Sequence, residues 1–127
     1  MDVKLIKKSD VPVRDFGNGL TLRILFDKIE GAKNFDLGTV SIPPKSATAM
    51  HSRTFEEIIY MLTGTGELQM EDGTAYVLEA GDCVLIPPGY SHRHANETDE
   101  PLTQLYIFAP QAEQSIQDSL RSLPVIT

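Results

Sequence analysis

Cysteine is nearly absent: Cys83 is the only one in 127 residues. That excludes an intrachain disulfide framework and any zinc cluster built on several thiolates, so whatever binds here uses other ligands. Clustered basic residues are missing too. Eleven Lys and Arg stand against 18 Asp and Glu, for a formal net charge of −7 and a pI of about 4.8. No Lys/Arg stretch is interleaved with aromatics, so the attraction to phosphate that nucleic acids and anionic membranes require is lacking. No apolar run approaches the roughly 20 residues a bilayer demands, and the charged start over residues 1–8 has no apolar stretch behind it. A soluble cytoplasmic protein is expected. A chain of this length buries one respectable core and not two, so residues 1–127 are expected to form a single domain.

What is present is a run of short apolar segments separated by Gly, Pro, Asp and Asn from residue 20 to residue 109. Such spacing points to a sandwich or barrel rather than to βαβ units. Leu20, Leu22, Ile24 and Phe26 alternate with other residues at a period of two, which suits a strand with one buried face. Further strands are expected over Phe35 to Ile42, Thr48 to Arg53, Glu57 to Leu62, Val84 to Ile86, Ser91 to Asn96 and Leu102 to Ala109. Glu67 to Met70 and Ala75 to Leu78 flank Asp72-Gly73, a dipeptide that favours the tight primed turn of a hairpin. Only the tail has a helical pattern, with Ala112, Ile116 and Leu120 at i, i+4 and i+8 and Pro110 placed where a first turn tolerates it. The expected architecture is all-β: a single antiparallel barrel over about 20–109, an N-terminal arm over 1–19, and a short C-terminal helix and tail over 110–127 that cover one end. Phe26, Phe35, Met50, Met61, Met70 and Phe108 are expected to fill the barrel or a subunit interface.

Two segments carry the chemistry. Gly81, Pro87, Gly89, His92 and Asn96 follow the pattern Gly, five residues, Pro-x-Gly, two residues, His, three residues, Asn. Upstream, His51-Ser52-Arg53-Thr54-Phe55-Glu56-Glu57 runs on to Gly64. At these positions the chain resembles the cupin superfamily, small single-domain bacterial type, with both motifs of that family over residues 51–96. One position departs: Arg53 stands where the first motif has its second His. The resemblance implies a jelly-roll barrel with a metal site of His51, Glu57 and His92. The glycines explain themselves as backbone devices, Gly81 opening a turn and Gly89 letting the chain reverse so that His92 points inward.

The residues allow the same reading. Positions two apart on a strand share a face, so a His, a nearby carboxylate and a remote His can close around one cation. Imidazole and carboxylate suit iron, manganese, zinc or nickel. A guanidinium cannot coordinate a metal, and its fixed charge repels a divalent cation. Arg53 therefore either swings away, pairs with Glu56, holds a substrate carboxylate bidentately, or pairs with Glu57 in a metal-free pocket. His94, two residues after His92, is a candidate substitute ligand or a pocket-lining His. Alternation lets only one of Glu56 and Glu57 point inward, and the spacing of the first motif that the chain resembles implies Glu57, leaving Glu56 facing solvent or paired with Arg53. Tyr60, Tyr106 and Gln104 are candidates to line the cavity, a phenol there being able to act as general acid or base. Cys83 reads as a buried structural thiol, with a nucleophile paired to His92 or His51 as the alternative.

The functional expectation is a metal-dependent enzyme acting on a small carboxylate-bearing or oxygenated molecule. Dioxygenase chemistry comes first, because two His and one carboxylate with open positions is the non-haem iron arrangement. Isomerase, decarboxylase, lyase and polyketide cyclase chemistries occur on the same scaffold. The competing expectation is a non-catalytic module that binds or senses a small anion, without metal, through Arg53. A homodimer is expected, since a short barrel gains by covering an edge strand or apolar face with a twin.

Overall fold

The computed structural model describes residues 2–126. Ten strands form two antiparallel sheets around one core: β1 Arg14–Gly17, β2 Leu20–Phe26, β3 Asp36–Ile42, β4 Ser46–Ala47, β5 Glu56–Thr63, β6 Thr65–Met70, β7 Ala75–Glu79, β8 Cys83–Ile86, β9 His92–Asn96 and β10 Leu102–Ala109. The larger sheet has the order β1-β2-β3-β10-β5-β8 and the smaller the order β4-β9-β6-β7. The all-β jelly-roll architecture is as expected, although the barrel consists of two facing sheets and not a continuous ring of ladder hydrogen bonds. The alternation is carried through in packing. In β3 and β10 every second residue is buried from end to end. Leu20, Leu22, Val40, Ile42, Ile59, Met61, Leu68, Ile86 and Leu102 join in one apolar core between the sheets. No helix among the described residues is long and apolar enough to cross a membrane.

Several expectations need correction. Thr48 to Arg53 is not a strand; its ladder contact is a single bridge, His51 to His92. The Asp72-Gly73 hairpin exists, but its loop holds three residues, with Gly73 N–H donating to the Met70 carbonyl and only Gly73 at positive φ (94°). A two-residue primed turn of the Asn-Gly kind would put its first central residue at positive φ as well. The arm at 1–19 includes β1, which extends the larger sheet beyond Leu20. Phe35 and Met50 are exposed, whereas Met61 and Phe108 are buried. Cys83 is exposed at the start of β8, the edge strand of its sheet, and is no buried structural thiol.

The helix, α1, spans Gln114–Arg121, so Ala112 precedes it and Pro110 lies outside its first turn. Two polar anchors hold this segment to the barrel. The buried Asp36 carboxylate accepts from Ala112 N–H at 2.8 Å and from the Gln117 amide at 3.0 Å. Arg121 donates twice to Asp27 and twice to Glu30, at 2.6–2.9 Å. Beyond α1 the tail returns to β1, with Asp15 N–H on the Pro124 carbonyl and Ile126 N–H on the Val13 carbonyl.

Asn96, which closes the second motif, and Gly38, which no motif marks, are structural. Asn96 is buried and grips the 97–101 loop, donating to the carbonyls of Ile42 and Glu100 and accepting from Thr98. Gly38 lies centrally in β3, where an added Cβ would fall 2.5 Å from the Arg23 carbonyl oxygen and collide with the Tyr106 ring and hydroxyl. Its missing side chain is what gives the Tyr106 phenol a place against the sheet.

Candidate metal centre

Four donors converge from three parts of the fold. Glu57 is the first inward residue of β5, His92 and His94 are successive inward residues of β9, and His51 lies on the loop after β4. The His51 loop is tied to β9 by reciprocal backbone hydrogen bonds between His51 and His92, each 2.8 Å. One ligand atom from each of the four residues can be chosen so that all lie within 4.8 Å of one another. Three imidazoles and one carboxylate at that spacing are positioned for a metal ion.

The hydrogen bonds around the cluster orient the donors outside-in. His51 Nδ1 and His92 Nδ1 each lie 2.8 Å from a backbone carbonyl, of Ala49 and Tyr90 respectively. A carbonyl can only accept, so these nitrogens carry the protons and leave both Nε2 lone pairs facing the cluster. Within it, His94 Nε2 lies 2.9 Å from Glu57 Oε2, while His92 Nε2 is 3.7 Å from the same oxygen. The His92 Nε2 and Glu57 Oε1 atoms are buried with no hydrogen-bond partner. Unpartnered donors of this kind cost free energy in a sealed interior, and a cation would satisfy both.

Electrostatics favour the ligand forms. Burial acts to raise the Glu57 pKa, but the imidazoles of His92 and His94 outweigh it and hold the carboxylate well below its usual range. His51 is depressed to about 4, first by burial and then by the Arg53 charge, so at neutral pH it is an uncharged donor. Burial opposes charging of His92 as well, yet the adjacent Glu57 carboxylate and the Tyr90 carbonyl keep its pKa above the ordinary value. In the absence of a cation, the cluster's negative charge is thus shared with a readily protonated imidazole.

Arg53 does not enter the cluster. Its guanidinium carbon sits 5.8 Å from the centroid of the Phe108 ring, its Nε is buried without a partner, and it forms no ion pair with Glu56 or Glu57 among the described residues. Glu56 is exposed, facing away from the cavity. The cation over a ring face is stabilised by the ring quadrupole and stays out of the donor set. The cavity that opens beside the donors is lined by His51, Arg53, Glu57, His94, Gln104 and Tyr106 together with apolar side chains. Tyr106 is buried there, and burial, followed by the carboxylates of Asp36 and Asp27, raises its phenol pKa. Tyr60 is not there: it alternates with Ile59 and Met61 onto the outer face of β5, 40 % exposed. Leu120, on the helix stripe expected to cover one end of the barrel, completes the cavity wall together with Phe16 of β1, which no sequence signal marked. Both lie outside the motif-bearing strands, and only tertiary packing brings them in.

A family model described as Cupin domain matches residues 38–108. No curated protein matches the chain. Among solved structures, the polyketide cyclase RemF from Streptomyces resistomycificus aligns with a TM-score of 0.77 at 24% identity, covering 85% of this chain and 80% of that one. An RmlC-like cupin from Shewanella frigidimarina aligns at 0.74 and 19% identity, covering 91% and 96%. A sugar phosphate isomerase of the cupin superfamily from Silicibacter pomeroyi aligns at 0.72 and 19%, covering 84% and 75%. At these identities the likeness concerns the fold.

Proposed function

The chain belongs to the cupin family, and we propose that it is a metal-dependent cupin enzyme acting on a small organic molecule that carries a carboxylate or similar anionic oxygen group. The observation that carries this reading is the pair of buried, unpartnered ligand atoms, Glu57 Oε1 and His92 Nε2, set among two further imidazoles. His51, Glu57, His92 and His94 would hold one divalent transition metal, which when bound would polarise a substrate oxygen or, as iron, support dioxygen chemistry. His94 thereby takes up the ligand role that Arg53 cannot fill. Arg53 orients the substrate's anion by paired N–H donation. The apolar wall excludes water, and Tyr106 keeps a proton on Oη that it can donate toward the cavity.

The dioxygenase expectation rested on a three-donor set. Four donors serve oxidative and non-oxidative chemistry equally, so the metal decides the class: iron for dioxygenase chemistry, and zinc, manganese or nickel for the isomerase, decarboxylase, lyase or cyclase kind, of which a polyketide cyclase and a sugar phosphate isomerase are among the similar structures. A second reading, a metal-free anion-binding module, is favoured by the unpartnered buried Nε of Arg53. Plasma mass spectrometry of protein purified without chelator separates the two. About one metal per chain in the wild type, retained in Arg53→Met while calorimetric binding of benzoate is lost, is the expected outcome. A metal-free wild type alongside a metal-filled Arg53→His would overturn the enzyme reading in favour of the second.

We also propose a homodimer through the outer face of the larger sheet. There the ladder register sets exposed Tyr60 and Leu85 beside half-buried Ile58, Leu105 and Ile107, next to the unpaired edge of β8. An apolar face continuous with a free strand edge is self-complementary about a two-fold axis. Light scattering is expected to give twice the 14.0 kDa chain mass; a monomeric mass at micromolar concentration counts against it.

A further inference from the structure

Beyond the donor cluster, the cavity continues along β10. The ladder fixes the order of its inward residues: Phe108 lies opposite Glu57, Tyr106 opposite Ile59 and Gln104 opposite Met61. At about 3.3 Å per residue, Tyr106 and Gln104 sit about 7 and 13 Å further along than the level of Glu57. Both are buried at 4% exposure and both line the cavity. Among the described residues, neither the Tyr106 hydroxyl nor the Gln104 amide has a protein hydrogen-bond partner, and neither is sealed off from the cavity. The stretch between them and the donors is apolar, walled by Phe16, Leu22, Val40, Ile59, Phe108 and Leu120. The Tyr106 and Phe108 rings stand 4.7 Å apart, centroid to centroid, along one side.

A polar pair at the far end of an apolar passage discriminates between ligands. A ligand that fills the cavity takes water away from the amide and the phenol, so one that satisfies them is favoured over an isosteric one that leaves them without a partner. The phenol is kept protonated by burial, so it donates, while the amide both donates and accepts.

Resting on the anion capture proposed above, we propose that Gln104 and Tyr106 form a specificity subsite for a hydroxyl or carbonyl oxygen at the distal end of a rigid apolar ligand whose near end carries the anion. The substrate class is then an oxygenated aromatic, or similarly flat, carboxylate. A benzene ring with para substituents spans from the level of Arg53 to that of Tyr106.

The test is calorimetry on the zinc-loaded full chain with benzoate, 4-hydroxybenzoate and 4-methylbenzoate, the methyl group matching the hydroxyl in size. Wild type is expected to bind the hydroxyl compound about 10-fold more tightly than the methyl compound. Tyr106→Phe and Gln104→Leu should each erode that preference while keeping 4-methylbenzoate binding, which also reports that the variant is folded. If Gln104→Leu does not fold, the isosteric Tyr106→Phe decides alone. Equal binding of the two compounds by wild type, or a preference that survives in Tyr106→Phe, overturns the subsite while Arg53-dependent benzoate binding leaves the anion capture standing. Failure of all three benzoates to bind overturns both.

Discussion

Replacing Glu57 by glutamine is expected to abolish metal loading while leaving the metal-free fold nearly intact. Glu57 is the only anion of the four donors and is 3% exposed, so without it three neutral imidazoles face a divalent cation in a poorly solvated site. Gln fits the same space, and its amide oxygen can still accept from His94 Nε2. The loss should exceed the 10–100-fold that removal of a second-shell partner typically costs. Stability is the sensitive readout. A ligand at 100 times its Kd stabilises the folded state by about 2.7 kcal/mol, which for a chain of this size is on the order of 10 °C in Tm. Added zinc should therefore raise the wild-type Tm by about that amount and leave Glu57→Gln unmoved. Equal shifts in both proteins would show that the cluster is not where the metal binds. His94→Ala discriminates further: a fourth ligand predicts a weakened shift, whereas a mere pocket-lining His predicts an unchanged one.

Arg121→Ala should be the most destabilising single change outside the core. It strips Asp27, 4% exposed, of a bidentate partner and Glu30 of a second pair of bonds, and it detaches α1 from the barrel. Breaking a fully buried pair from one side costs about 3–5 kcal/mol; with Arg121 itself partly exposed, about 2–4 kcal/mol is expected from urea unfolding at pH 7. The pH dependence has a definite sign. Burial acts to raise the Asp27 pKa, but the Arg121 hydrogen bonds and charge outweigh it and leave it below the usual 3.8. A carboxylate depressed in the folded state contributes stability above its unfolded pKa and loses it as pH falls through the folded value. The gap between wild type and Arg121→Ala should thus be full near pH 7 and close as pH drops below about 4. Asp36 is shifted the other way, upward, chiefly by burial, so its protonation does not add to the acid loss. A gap that persists unchanged at pH 3 would mean that Arg121 acts through packing alone.

The motif spacings made His51, Glu57 and His92 legible, because a side chain that must point into a barrel next to a glycine turn leaves a fixed register in the sequence. Period-two alternation did the same for β2, whereas in β3 and β10 the buried face includes Asp36, Gly38 and Gln104 and the alternation shows only in the packing. What was not legible depends on which strands become neighbours. Thr48–Arg53 has the composition of a strand, but it crosses between sheets and touches the β9 backbone only intermittently, at Thr48 and at the His51 bridge. Cys83 belongs to a strand, yet that strand is an edge, and edge position is decided by sheet order and not by local pattern. Tyr60 and Tyr106 look alike in sequence; the face each occupies follows from the strand's register with Glu57 and Phe108. Arg53 was the hardest to place, because a cation beside a metal site has several outlets. The ring of Phe108, 55 positions away, supplies the one it takes.

The 48–53 loop is held to β9 at its two histidine levels, by the reciprocal backbone bonds between His51 and His92 and by Thr48, whose N–H donates to the His94 carbonyl and whose hydroxyl accepts from His94 N–H. In topological terms, an ion on Glu57 and His92 would be a cross-link, closing a ring of about 36 residues of chain. On the loop-entropy account of disulfides, a tie of that span removes about 4 kcal/mol of freedom from any disordered state that retains it. In a chain with a single cysteine, coordination is then the one available means of fastening distant segments covalently in effect, and hydrogen exchange at the His51 amide should slow when the ion arrives.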